Sequence, residues 1–276
     1  MPTAIPTVTR TTIPTATPMR TATRTITAIP TARAMTPPRA RPPKTMRDET
    51  DIARDPRPFP AELMLWLSPA FPTGAFAYSQ GLETAVAGGL VTGRDDLGRW
   101  LSSLLVRGML WSDLVLLSLA YRAAGAHRVR EIADLAFALQ PSAERADELA
   151  VQGRNFREAL LAGWPEHAPR FACLEDRPAP YPLAIALAAR AHGMALGDTL
   201  SAYAHAFISN ALSAAIRLAV IGQFDGQRIH RDLFPVVRDS IAAAETATED
   251  DIAAAQFAVD IQSMNHETLR VRLFRS

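Results

Sequence analysis

The sequence predicts an all-α fold: a single compact multi-helix bundle of about eight to ten helices. Three observations carry this. From Glu62 onward apolar residues recur at three- and four-residue spacing, the period of one helix face. No stretch of that region alternates with period two in a strand context. Composition also changes near residue 58, from Thr, Pro and Arg before it to Ala, Leu, Val and Ile after it. The predicted organisation is a disordered extension at 1–58 followed by an all-helical domain at 59–276, long enough to bury a sizeable core.

Residues 1–58 hold eleven of the 21 prolines. Proline fixes φ and removes a donor, while Thr and Arg offer little apolar surface, so this stretch cannot offset its ordering entropy. It carries ten Arg/Lys against four Asp/Glu, and the rest carries 19 against 24, so a basic tail precedes an acidic domain. Such a domain is a poor partner for phosphate backbones, and no nucleic-acid binding is expected of it. The basic start invites a transit-peptide reading, but prolines at 2, 6, 14, 18 and 30 break the amphipathic helix this needs. A low-complexity extension, or a true start at Met46, stands as the alternative. No apolar run of about 18 residues is expected, hence no membrane span and no signal peptide.

Two scarcities bound the chemistry. Cys173 is the only cysteine, so one copy can form neither a disulfide nor a Cys-based zinc site, and a cytoplasmic location is expected. The one lysine, Lys44, lies in the extension. A domain without lysine has no P-loop and no Schiff base, so any nucleotide-driven step belongs to a partner.

In chain order, a helix end at Trp66 leads into an aromatic, proline-ruled turn, Ser68 to Phe76, and Ser79–Glu83 opens the next helix. Two prolines and a glycine restrict that turn, which suits either a recognition surface or a lid on the core. Leu97, Trp100, Leu101, Leu104 and Leu105 mark a helix face, as do Val129, Ile132, Leu135 and Leu139, where Pro141 stops the helix. A helix from Ser142, with Arg145 and Glu148 polar, runs through Phe156, Leu160 and Leu161. Residues 164–182, with five prolines, read as a loop. The widest stripe starts near Asp198 and runs through Tyr203, Phe207, Ala211 and Ala215, predicting a central helix buried on most of its circumference. Further helices carry Ile229, Leu233, Val236, Val237 and Ile241, then Ile252, Phe257, Ile261 and Met264.

Three segments taken together resemble the UreF family of urease accessory proteins: Ser68-Pro-Ala-Phe-Pro-Thr-Gly-Ala-Phe-Ala-Tyr-Ser-Gln-Gly-Leu-Glu83, Ala215-Ile-Arg-Leu-Ala-Val-Ile-Gly-Gln-Phe-Asp-Gly-Gln227 and His266-Glu-Thr-Leu-Arg-Val-Arg-Leu-Phe-Arg-Ser276. Glu148–Gly153 and Leu196-Gly-Asp198 add support, and the resemblance spans about residues 60–276. Val220, where Pro is expected, and Phe224, where a small polar residue is expected, depart from the pattern. The resemblance implies a homodimeric, non-catalytic scaffold between a UreD/UreH-type protein and the GTPase UreG. That scaffold assists nickel transfer to apo-urease, and the family is proposed to regulate the GTPase and to line a nickel passage. No cofactor is stably bound; nickel passes through the assembled complex.

Candidate residues follow. Phe71, Pro72, Phe76 and Tyr78 are expected to meet a partner. Gly222–Gln227 reads as a turn between helices, and by resemblance Gln223, Asp225 and Gln227 face UreG or the passage. Arg217, inside an apolar helix, is expected to form a buried ion pair with Glu83, which displaces an arginine-finger role. His266 and Glu267 are adjacent and point about 100° apart on a helix, so they cannot share an ion within one subunit. They are nonetheless the best candidates for transient nickel contact. His127, His167, His192, His205 and His230 show no i, i+4 pairing. By resemblance the C-terminal tail orders on the UreD/UreH-type partner, Leu273 and Phe274 anchoring it and Arg272 and Arg275 making polar contacts. A hydrolase lacks a Gly-x-Ser-x-Gly elbow, and a DNA-binding regulator lacks basic clusters. An adaptor or regulator unrelated to urease is the alternative function.

Overall fold

Two helices without a polar face set the centre of the fold: α4 (Met109–Arg122) and α8 (Tyr181–Ala191). Every residue from Pro182 to Ala189 is buried, and α8 packs on α4 directly. The computed structural model describes residues 60–252 and 257–276, and the extension expected at 1–58 lies outside the described residues. Around the centre run α1 (Ala61–Trp66), α2 (Leu82–Ala87), α3 (Arg94–Arg107), α5 (Ala126–Ala138), α6 (Ala143–Gly163), α7 (Ala168–Phe171), α9 (Leu196–Arg217), α10 (Gln223–Ala244) and α11 (Phe257–His266). No strand occurs among the described residues. The chain is all-α, with eight helices of ten or more residues and three shorter ones among those described.

The periodic segments form the helices expected of them. Leu97, Trp100, Leu101, Leu104 and Leu105 are all buried on α3. Ser142 caps α6, its hydroxyl accepting from the Arg145 amide at 3.3 Å. Trp66 is fully buried, edge-on to Phe156 and Trp164, which ties α1 to α6. The proline-rich stretch after Gly163 holds α7 between short 3₁₀ turns, Pro165–His167 and Ala172–Leu174.

Four expectations are corrected. The stripe starting near Asp198 is not the centre of the fold, which α4 and α8 form: α9 packs beside them, burying Tyr203, Ala204, Ile208, Ala211, Leu212, Ala214 and Ala215 and exposing Asp198, Ser209, Ser213 and Arg217. Gly222–Gln227 is not a turn. The chain turns at Ala219, in the left-handed region at φ 59°, and α10 already starts at Gln223. Asp225 lies in its first turn, where the helix dipole favours a carboxylate, and a Cβ on Gly226 would lie 3.6 Å from Ile216 Cδ1. On α11 the apolar residues point outward: Phe257 is 74 %, Ile261 49 % and Met264 48 % exposed, and Ile252 falls outside the helix. The buried face is Val259, Ser263 and His266, because α11 approaches Gly81 so closely that a Cβ there would meet the Ser263 nitrogen at 3.0 Å. Last, the stretch Arg94–Arg122 is long and apolar enough by composition to cross a membrane. Its backbone breaks at Gly108, and most of its apolar side chains sit in the core, Val106 being exposed.

Gly153 marks the tightest helix contact. A Cβ on it would lie 1.8 Å from the Ala179 carbonyl oxygen, where α6 passes the lead-in to α8. Gly153→Ala would gain about 1 kcal/mol of helix propensity, yet overpacking here should outweigh it. The expected net loss is about 2 kcal/mol, a fall of roughly 4–8 °C in thermal midpoint. A midpoint unchanged or raised would show that the two segments have room to part.

Candidate functional site

The C-terminal tail lies against the 77–83 segment, and a buried carboxylate holds it there. Glu83, on the first turn of α2, accepts the amides of Leu273 at 2.7 Å and Phe274 at 3.0 Å. The other contacts fix register: the Arg275 amide donates to Ala77 O, and both the amide and hydroxyl of Ser79 donate to Ser276 O. His266, fully buried, faces Glu83 through Nε2 at 3.1 Å and Glu144 through Nδ1 at 2.6 Å. Arg272 closes the ring on Glu144. Phe274 is buried beneath the Arg217 guanidinium, 4.3 Å from its ring centre.

From the tail a polar network runs inward. Ser276 Oγ donates to Glu148, which also accepts from Gln80 at 3.0 Å and Gln152 at 2.8 Å and pairs with Arg145. All are buried. Gln80 reaches Glu148 from a left-handed backbone, φ 55°, a conformation that costs a non-glycine residue energy. Beyond Arg145 lies Asp113, hydrogen-bonded by Tyr203 at 2.9 Å. Burial pushes the Asp113 carboxyl up to about 6, although Arg145 and the Tyr203 hydroxyl pull it down. Burial also raises the hydroxyls of Tyr203 and Tyr181.

This network floors a cavity of about 830 Å³ between α1, the 68–76 turn, α6 and α9. Met64, Pro72 and Phe76 line it and are exposed, so it opens between them. Asn210 on α9 pins the turn by donating to Ala75 O at 3.0 Å, and Asn155 on α6 donates to Thr73 O at 3.1 Å. The site is thus an apolar funnel with a charged floor, to which the docked tail connects through Ser276.

The expected site residues divide accordingly. Pro72 and Phe76 are exposed, but Phe71 and Tyr78 are buried and hold the turn on the core, Phe71 against Phe156. Gln223 and Gln227 are exposed at the start of α10, and Asp225 pairs with Arg228 at 3.1 Å. Leu273 is 61 % exposed, whereas Phe274 is an anchor within the chain and not toward a partner. The expected Glu83–Arg217 ion pair is absent: Arg217 is exposed and its Nε donates to Ser213 O, while tail amides and His266 occupy Glu83. Glu267 is exposed and one of its oxygens accepts the Ala143 amide at 2.9 Å, while carboxylates engage both His266 ring nitrogens. Histidines without helical spacing do meet in space: His167 with His192 at 3.3 Å, and His205 with His230 at 2.9 Å.

Asp113, Gln80, Gln152, Tyr181 and Tyr203 join the site only through the fold. A signal existed for part of the network: Arg145, Glu148 and Gln152 share the 3.6-residue stripe of Leu149, Phe156 and Leu160, hence point inward. Asp113 stands alone in the apolar run of α4, and a lone carboxylate there needs a buried partner.

The carboxyl of Asp113 gives this floor a pH signature. Its folded pKa lies above the unfolded value, so the stability it contributes is present below about pH 4 and is lost as pH rises through about 6. Relative to Asp113→Asn, the parent chain should lose up to about 3 kcal/mol between pH 4 and 7. Denaturant titrations across that range check this; a pH-independent difference would contradict it.

A family model described as UreF matches residues 91–234. The chain is 44% identical over 220 residues to the urease accessory protein UreF of Rhodopseudomonas palustris strain BisB5, covering 78% of this chain and 90% of the relative. It is 45% identical over 219 residues to the protein of that name from strain BisA53, covering 78% and 92%. With that of Rhizobium johnstonii it shares 44% over 215 residues, covering 78% and 95%.

Proposed function

Since the chain belongs to the UreF family of urease accessory proteins, we propose that it is a non-catalytic adaptor. In this reading it is a cytoplasmic homodimer that joins a UreD/UreH-type accessory protein to the GTPase UreG. There it assists insertion of nickel into apo-urease and regulates the GTPase. Nickel is cargo of the assembled complex and not a resident cofactor of this chain.

The observation that carries the reading is the docked tail. It brings Leu273 to the surface and joins the tail to the segment that follows exposed Phe76. Exposed apolar side chains held on a rigid frame suit protein recognition. The UreD/UreH-type protein is assigned to this edge. UreG is assigned to the start of α10, where Phe224 is 82 % exposed between the amides of Gln223 and Gln227.

Co-expression with both accessory proteins and urease separates the assignments. Phe76→Ser with Leu273→Ser should cut recovery of the UreD/UreH-type protein at least tenfold. Gln223→Ala, Phe224→Ser and Gln227→Ala together should cut that of UreG, and each set should lower nickel-dependent urease activity. Wild-type recovery and activity in both sets, with native helicity, would overturn the reading.

A further inference from the structure

Two imidazoles that the adaptor role does not use meet at the α9–α10 contact. His205 Nδ1 and His230 Nε2 are 2.9 Å apart, each ring half-buried. Phe234, one turn beyond His230, covers them, 5.0 Å from the His205 ring and stacked on His230 at 5.9 Å. No carboxylate is paired with either ring among the described residues. Burial moves both rings below the usual histidine range, and for His205 the neighbouring ring adds to this. Both therefore stand neutral at neutral pH, the form that offers a lone pair to a metal.

We propose that His205 and His230 form a two-imidazole chelate for a divalent transition-metal ion, with water filling the remaining positions. Two donors about 2.1 Å from one ion are separated by about 3.0 Å when cis in square-planar or octahedral geometry. The two nitrogens already stand at that separation as hydrogen-bond partners; a metal ion replaces the shared proton once the donor ring adopts its other tautomer and both rings turn their lone pairs to a common point. The rings come from two helices packed against each other, which fixes their spacing without any metal. His205 also lines the 830 Å³ cavity, so an ion reaches it from solvent without opening the fold.

Only two protein donors are present: among the described residues no group of three or more His, Cys, Asp or Glu side chains could hold an ion. The site is therefore open and exchangeable, and unlike a closed structural zinc site. Imidazole pairs follow the ordinary order of divalent affinities, copper above nickel above cobalt above manganese. Magnesium and calcium, which prefer oxygen donors, should not compete. In the comparable pair His167 and His192, both rings pack edge-on against Trp66 and His167 is buried.

The test uses the full chain freed of any affinity tag; residues 1–58 contain no histidine. Copper(II) added at one equivalent should give an electron paramagnetic resonance spectrum with splitting from two nitrogens. Nickel(II) should displace it competitively and magnesium should not. His205→Gln and His230→Gln should each weaken nickel binding at least tenfold, while His192→Gln and His127→Gln leave it unchanged. The spectrum of the parent chain stands even if a variant folds poorly. The proposal is overturned by a copper spectrum without two nitrogens, by nickel affinity within twofold of the parent in both variants, or by loss that follows His192 or His127.

Discussion

A single carboxylate bears on most of what has been described. Glu83 is buried on α2, and its two oxygens take the amides of Leu273 and Phe274 and one nitrogen of His266. A buried carboxylate is tolerated only when its lone pairs are filled. These three partners from one end of the chain fill them only when that end is docked. Through this constraint the tail acquires its register, Phe274 finds its place under Arg217, and Ser276 reaches Glu148.

The floor of the cavity is the other half of the same arrangement. Arg145 and Glu148 neutralise each other, and Gln80, Gln152 and Ser276 fill the remaining acceptor sites of Glu148. Asp113 is less well compensated, since Tyr203 alone donates to it directly, and its raised pKa records the difference. Gln80 couples floor and edge: its strained backbone puts its amide on Glu148 and its neighbours Ser79 and Gly81 against the tail and α11. The tail is connected to the charged floor of the funnel through the Ser276–Glu148 hydrogen bond.

How much of this was legible in the sequence follows from how local each pattern is. The faces of α3 and α5 and the cap at Ser142 obey a period or a four-residue rule, and they form as the spacing predicts. Helices α4 and α8 carry no such period, because a helix buried all round shows no polar face, and so the centre of the fold was assigned to α9 instead. The outward stripe of α11 misled for the opposite reason: small and polar residues face α2 because Gly81 lets the backbones approach. At the site, the inward stripe of Arg145, Glu148 and Gln152 was readable. Their partners Gln80 and Ser276, 68 and 128 residues from Glu148, were not, and neither were histidine pairs 25 residues apart. The tail shows the limit most clearly: alternating apolar and basic residues look like a frayed end until Glu83 supplies the acceptor.

The central claim is that this acceptor holds the tail in the free chain, before any partner binds. Amide hydrogen exchange at Leu273 and Phe274, followed on the isolated protein, tests it most directly. Docking predicts protection at both amides comparable to that of α2, because their hydrogen bonds end on the same buried carboxylate. Exchange at the rate of an unstructured peptide, with protection only after a partner is added, would contradict it.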